Sequence, residues 1–425
     1  MSLTGSETVN RDPRAVRVAL LTNYLNPHRL HLVELVANQF SRIRIFLSGL
    51  EDKEHGFSPS WKGLDVNVQR SLQWTHRFRN VNGYQDASEI HFPYDVLFQL
   101  HRFRPDLILS GELGGRTIQS CIYRIFFPGT KLIAWTALSQ HTEATRDRLR
   151  RGMRSWIVRH IDAAFVNGKS GEAYMRSLGF GGPVFTVPYA IAEAPFSSQD
   201  YVPARTARRL LYAGQLIPRK GVYRFCMVLN RWCEDHPDIR VHFKIIGDGP
   251  ERKLLQSVQP TPSLTLALLP LLAQKDLATH YHEADLYAFP TLGDEWGVVV
   301  NEAMLAGLPV LGSIYSQAVA ELVEEGRAGW TFSPNDDEST YKAIGRALTT
   351  SVESLKVISS HAKTVIAQIS PAIVAKEVVR AIRAVSRRFP ADIAGLATNH
   401  ADGNAFLGNE GCTNRTMLTS QRASK

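Results

Sequence analysis

At 425 residues, 44% of them apolar, the chain is long enough for two domains with cores of their own, and no apolar run approaches the ~20 residues of a membrane span. Cys121, Cys226, Cys233 and Cys412 show neither metal nor redox spacing, which leaves reduced thiols in a cytoplasmic protein as the expectation. The net charge of +9 is uneven: residues 1–196 hold 24 Lys and Arg against 17 Asp and Glu, and the rest hold 25 against 23. A basic first half points to an anionic substrate, a membrane surface or nucleic acid.

Residues 1–14 are polar, so a flexible N-terminus without a signal peptide is expected. From there the pattern alternates. Arg17–Thr22 reads as a buried strand, Asn23–Arg29 as its loop and His31–Phe40 as an apolar-periodic helix. Ile43–Leu47 is a second strand. Glu51–Glu89 has no sustained period, and irregular strands and loops near a cleft are expected there. Tyr94–Arg102, Arg116–Phe126, Ala144–His160 and Gly171–Leu178 read as helices. Asp106–Ser110, Lys131–Thr136, Ala163–Val166 and Val184–Val187 read as strands. Strand–helix alternation predicts parallel βαβ units over residues 15–196.

A Pro-, Ala- and Ser-rich linker, Tyr189–Ala204, precedes a restart of the pattern. Strands are predicted at Arg209–Ala213, Val241–Ile246, Leu264–Leu268, Leu286–Phe289 and Val310–Leu311. Helices are predicted at Val222–Asp235, Glu251–Ser257, Asp276–Glu283 and Asn301–Leu305. A second Rossmann-like α/β domain over residues 205–370 is the economical reading, with a closing helix within 371–388 and a disordered tail over 391–425. Two doubly wound domains place ligands in the crevice at their strand C-terminal ends.

The segment Asp294-Glu-Trp-Gly-Val-Val-Val-Asn-Glu302 carries the strongest chemical signal. Its Trp-Gly turn feeds a helix start, and free N–H groups there suit an anion. A carboxylate one turn in, Glu302, suits hydroxyls instead. A ligand with both phosphate and hydroxyls, such as a nucleotide sugar, satisfies both. Upstream, Arg219 and Lys220 follow the strand Arg209–Ala213 and can neutralise a diphosphate, Arg by a fork and Lys as a point charge.

Taken together, these motifs resemble the retaining, nucleotide-sugar-dependent glycosyltransferases of family 4. The acid–seven residues–acid signature runs from Asp294 to Glu302, with Asp294 in place of the usual Glu and Glu295 beside it. Ala213-Gly-Gln-Leu-Ile-Pro-Arg-Lys-Gly221 is similar to the element that binds the donor diphosphate; Gln215 stands where the family has Arg, and Arg219 is expected to take over part of its work. Ile245-Ile-Gly247-Asp-Gly-Pro250 matches the turn that floors the nucleotide pocket, and a plain tight strand-to-helix turn accounts equally for it; Leu271, after Pro270, falls where the family packs the base. Ser313, Glu321, Gly326 and Gly329-Trp330 follow the downstream pattern. The resemblance covers roughly residues 15–388 and implies the GT-B fold, two Rossmann-like domains facing across a cleft.

It also implies residue roles. Asp294 or Glu295 would hold sugar hydroxyls. Lys220, Arg219, Gln215 and the backbone N–H groups of Gly297 and Val298 would hold the diphosphate. Glu302, Gly247 and Leu271 would hold the nucleoside. The family often has a histidine near the reacting sugar where His141 stands; a surface loop histidine is the other reading. His28 and Arg29, with Glu112 in Ser110-Gly-Glu-Leu-Gly-Gly115, are the acceptor-side candidates; helix capping for the first two and a solvated acid for the third account for the same residues. No metal and no cofactor is expected, since the basic clamp does the work of a cation and no Asp-x-Asp motif follows a strand.

Ala144–His160 carries six arginines, Arg146 to Arg159, interleaved with Met153, Trp156, Ile157 and Val158. Such a basic amphipathic helix suits an anionic membrane surface and a lipid-linked acceptor, and equally a solvated face packed by Trp156. Nucleic acid is not the expected partner, because only this helix offers basic residues with aromatics. The function implied is a hexosyltransferase acting from a nucleoside-diphosphate sugar on a glycan or lipid-linked acceptor, in cell-surface polysaccharide synthesis. A non-enzymatic basic binding protein and a nucleotide-sugar epimerase are the rivals.

Overall fold

The computed structural model describes residues 16–49, 61, 63–79, 84–143, 148–197, 199–204 and 206–386. The expected N-terminal segment 1–14, the tail 391–425, Arg146 and the end of the closing helix beyond Ser386 lie outside them.

The first half runs β1 (Arg17–Thr22), α1 (Pro27–Ala37), β2 (Arg42–Leu47), β3 (Val66–Val68), β4 (Ser71–Arg79), β5 (Gln85–Pro93), α2 (Val96–Phe103), β6 (Leu107–Ser110), α3 (Gly115–Phe126), β7 (Lys131–Trp135), α4 (Gln140–Glu143), α5 (Arg148–Val158), β8 (Ala163–Val166), α6 (Lys169–Ser177) and β9 (Val184–Thr186). The second runs β10 (Arg208–Ala213), α7 (Val222–Asp235), β11 (Val241–Ile246), α8 (Arg252–Gln256), β12 (Leu264–Leu269), α9 (Gln274–Glu283), β13 (Leu286–Phe289), α10 (Val298–Leu305), β14 (Val310–Ser313), α11 (Gln317–Leu322), β15 (Gly329–Phe332), α12 (Asp337–Leu348), α13 (Val352–Ala367) and α14 (Pro371–Ser386).

Two parallel sheets organise these elements, in the orders β3-β2-β1-β6-β7-β8-β9 and β12-β11-β10-β13-β14-β15. Side chains alternate across each sheet: Val18 and Leu20 join one core, Ala19 and Leu21 another, and likewise Leu211 against Leu210 and Tyr212. In both sheets the strand order reverses beside the first strand of the half, between β1 and β6 and between β10 and β13. A crevice opens at the C-terminal ends of such a pair. The last helix, α14, packs on α1 of the first domain, and Val378, Ile382 and Val385 share a core with Leu32, Val33 and Val36.

Several local readings need correction. Asn23–Arg29 is not all loop. Asn26 caps α1, its side chain accepting from the Arg29 N–H at 2.9 Å, and Pro27 opens the helix where its missing N–H costs nothing. His28 and Arg29 therefore sit on the first helical turn. The aperiodic Glu51–Glu89 stretch contains, within its described residues, β3 and most of a long antiparallel ribbon, β4 paired with β5 from Ser71↔Pro93 to Arg79↔Gln85. Residues 72–77 of β4 are exposed on both faces, Leu72 and Trp74 among them, so burial imposes no hydrophobic alternation there. The acid-segment helix starts at Val298, not Asn301, because Gly297 takes the left-handed backbone that lets the chain turn directly into it.

Candidate active site

Both cations and the first acid of the signature stand at the switch point of the second sheet. β10 ends at Ala213 and leads to a single 3-10 turn, Pro218–Lys220; β13 ends at Phe289 and leads to Asp294. Lys220 Nζ donates to Asp294 Oδ2 at 2.5 Å, and Arg219 lies 3.7 Å from the same oxygen while donating to the Gly293 carbonyl at 3.1 Å. Burial works to raise the Asp294 carboxyl, and Lys220 and Arg219 outweigh it, so Asp294 is held below the usual carboxylate range. Glu295 goes the other way. Burial, then the neighbouring charges of Asp294 and Glu143, raise it. Two adjacent acids thus have opposite biases.

The acid loop is braced from several sides. Asp294 N–H donates to the Tyr315 carbonyl, and Ser316 Oγ donates to the Trp296 carbonyl at 2.5 Å. The buried Trp296 indole donates to Asn301, whose amide donates to the Tyr189 carbonyl in the linker. A Cβ on Gly297 would lie 2.6 Å from the Phe289 ring, so only glycine fits between ring and helix start. A Cβ on Gly247 would lie 1.9 Å from the Gly214 carbonyl oxygen, because the two strand-end loops touch. Gln215 lies in that same strand-end segment, and its carbonyl accepts from the Tyr212 hydroxyl.

Glu302 is turned inward. It is 6% exposed, accepts from the Tyr281 hydroxyl at 2.9 Å, and burial pushes its carboxyl up to about 7. Leu271 is the reverse, an apolar side chain 73% exposed after β12.

The first domain brings Arg29 to this site. Its guanidinium lies 5.1 Å from the Trp135 ring centre and 4.9 Å from that of Tyr189, and its charge reaches Glu295. His28 lines a small cleft with Trp135, Asn167 and Tyr189. His141 stands on α4, 5.6 Å ring to ring from Tyr315 of the second domain, and burial lowers its pKa so that the neutral imidazole faces the crevice. Glu112 is engaged at the start of α3. It accepts from the Arg116 N–H at 2.8 Å and faces the Arg116 guanidinium, which is fully buried and also donates to Asn23 Oδ1.

Within the described residues the basic helix ends at Val158 rather than His160, and one of its arginines is not on the surface. Arg154 is buried, paired with Glu143, and donates to the Tyr174 hydroxyl at 2.7 Å. The sequence could not separate it from its neighbours, because Glu143 and Tyr174 arrive from other elements. Residues that pattern reading did not single out also meet at the crevice. Tyr84, at the turn end of the β4–β5 ribbon, places its hydroxyl against Gly293, and Gln317 and Asn167 donate to the Glu295 carbonyl at 2.6 and 3.3 Å. The downstream helix and turn pattern pointed to α11 but not to which side chain would cross the crevice.

Two doubly wound domains with this crevice between them define the GT-B fold. Residues 207–350 match the family model described as glycosyl transferases group 1. A 193-residue stretch is 28% identical to an exopolysaccharide phosphotransferase of Streptomyces coelicolor, covering 44% of this chain and 20% of that one. A 145-residue stretch is 29% identical to a GDP-mannose-dependent alpha-mannosyltransferase of Corynebacterium glutamicum, covering 34% and 32%. The chain thus spans between a fifth and a third of the length of these curated relatives. Over 86% of this chain and 99% of the other, the structure is similar to Anabaena HepE in complex with UDP, with a TM-score of 0.64 and 15% identity. At that identity the likeness is one of fold.

Proposed function

We propose that the protein is a retaining glycosyltransferase that takes a sugar from a nucleoside diphosphate bound by the second domain. The observation that carries this reading is the Lys220–Asp294–Arg219 cluster beside the start of α10, at the switch point of the second sheet. A diphosphate seated there would draw Lys220 and Arg219 to itself and meet the N–H groups of Gly297 and Val298. Asp294, released from Lys220, would then accept hydroxyls of the donor sugar. The bond from the anomeric carbon to the diphosphate oxygen breaks while the bond to the acceptor oxygen forms on the same face, and the acceptor proton passes to the departing diphosphate. The cations and helix-start dipoles stabilise that developing charge. His141, neutral and facing the crevice, is placed to hydrogen-bond the sugar. Arg29 and His28 stand on the acceptor side. The clamp needs no metal, so turnover should persist in chelator.

The membrane is the proposed location of the acceptor, with the surface redrawn. α2, α3 and α5 pack side by side on one face of the first sheet. Their outer side exposes Phe98, Ile125, Phe126, Leu149 and Trp156, with Arg148, Arg151 and Arg159 also exposed. Apolar side chains among arginines suit an anionic bilayer surface better than α5 alone would. Among the described residues, no helix is long and apolar enough to cross a membrane. A glycan or lipid-linked acceptor in polysaccharide synthesis fits such a surface.

The test is a panel of UDP-glucose, UDP-galactose, UDP-N-acetylglucosamine and GDP-mannose, screened for thermal stabilisation and then for slow hydrolysis. Stabilisation and hydrolysis by one donor, with retained configuration at the released sugar's anomeric carbon, is the expected result. Binding without turnover of any donor, with or without a mixed glycan and polyprenyl-phosphate acceptor pool, would favour the non-enzymatic reading.

A further inference from the structure

We propose that Glu321 is a positioning residue: from α11 of the second domain it caps the start of α6 in the first, closes the crevice, and so seats the Asp294–Glu295 loop. The Lys169 backbone N–H donates to Glu321 Oε1 at 2.6 Å, and the Ser170 N–H also reaches the carboxylate. These are orphan donors of the first turn of α6, whose own cap residue, Gly168, has no side chain to satisfy them. The cap therefore comes from the other domain.

The consequence lies one turn back on α11. Gln317 Nε2 donates both to the Ala137 carbonyl of the first domain, at 2.7 Å, and to the Glu295 carbonyl of the second, at 2.6 Å. Asn167, next to Gly168, donates to the same Glu295 carbonyl. One carbonyl in the acid loop is thus held from both domains, and the only carboxylate cap across that seam is Glu321 among the described residues. Releasing Glu321 frees α11 from α6 and lets both amide donors leave Glu295. The acid loop would keep its cations, which belong to its own domain, but lose its register against Arg29 and His141.

Gly168 gives an independent handle. Its backbone is extended, so alanine is tolerated there, yet the added Cβ would lie 2.6 Å from the Glu321 carboxyl carbon. Gly168→Ala should push the cap away without touching Glu321 itself.

The experiment is small-angle scattering of the full chain without ligand, for wild type, Glu321→Ala, Glu321→Gln and Gly168→Ala. Glu321→Ala and Gly168→Ala should raise the radius of gyration, and Glu321→Gln, which keeps one acceptor oxygen, should stay near wild type. This arm does not depend on the transferase reading. Where a donor from the panel above is hydrolysed, both opening variants should lose about tenfold in kcat with KM changed less than about threefold, and Glu321→Gln should recover most of it. Should Glu321→Ala fail to fold, Gly168→Ala decides. Scattering curves for the folded variants that match wild type would overturn the proposal.

Discussion

The two crevices of this molecule are built on the same topology and filled in opposite ways. In the second domain, the loop after β10 and the loop after β13 carry a compact charged cluster, Arg219 and Lys220 against Asp294, with every member on a short segment next to a strand. In the first domain, the equivalent loops after β1 and β6 meet at a buried arginine. Arg116 comes from α3, takes Asn23 and Glu112 as partners, and is roofed by His91 from the ribbon, whose pKa burial and the Arg116 charge both lower. Under the proposed function, one crevice presents its charge to a ligand. The other uses charge to hold its own loops together.

That comparison can be broken first at Arg116. Arg116→Leu should cost about 3 kcal/mol of stability, near the low end for breaking a buried ion pair, because Glu112 is partly exposed and can rehydrate. Glu112→Gln should cost less than about 1 kcal/mol, since an amide oxygen can still accept from the Arg116 N–H. Chemical denaturation of both variants checks the pair. Equal losses would mean that Glu112, rather than the buried guanidinium, organises the first crevice.

Glu302 sharpens the contrast on the other side. Its carboxyl is raised from the ordinary 4.5 to about 7 by burial, although Tyr281 opposes this. A carboxyl raised on folding contributes stability that is complete below about pH 4.5 and is lost as pH rises through about 7. Wild type should therefore lose stability relative to Glu302→Gln between those values, on the order of 3 kcal/mol at full ionisation. Parallel melting curves at pH 5, 6, 7 and 8 read this directly. Two lines of equal slope would show that Glu302 is ionised in the folded protein.

These two sites also show what pattern reading could and could not reach. Strand–helix alternation is written in short buried runs such as Val241–Ile246 and Leu286–Phe289, so both sheets were legible apart from the edge strands β3 and β15, as was the α7 helix to the residue. The charged cluster was legible because Arg219, Lys220 and Asp294 sit in the loops that directly follow β10 and β13. The β4–β5 ribbon was not, since β4 is exposed on both faces, which keeps Leu72 and Trp74 in solvent and leaves no alternation to read. Nor was the burial of Arg154, whose partners Glu143 and Tyr174 lie on other elements, α4 and α6. Likewise Gln317 and Asn167 are unremarkable polar residues until two domains bring them to one carbonyl.

A further expected effect is on membrane binding. Phe126→Ser with Arg148→Ser and Arg151→Ser should weaken binding to phosphatidylglycerol vesicles by about 1 kcal/mol per arginine, with a further loss from the aromatic. Co-sedimentation in low and high salt separates the contributions, because only the arginine share is screened. Vesicle binding identical in wild type and variant would move the acceptor away from this face.

The central claim is that the second crevice is a nucleoside-diphosphate site. Calorimetric titration of UDP and GDP into wild type and Lys220→Ala tests it most directly. One of the two should bind wild type, and Lys220→Ala should lose about 1.5–3 kcal/mol, or roughly 10- to 150-fold in affinity, while remaining folded with a lowered melting temperature, because Asp294 keeps only Arg219 as a cationic partner. A wild type that binds neither, or a Lys220→Ala variant that binds as tightly, would contradict it.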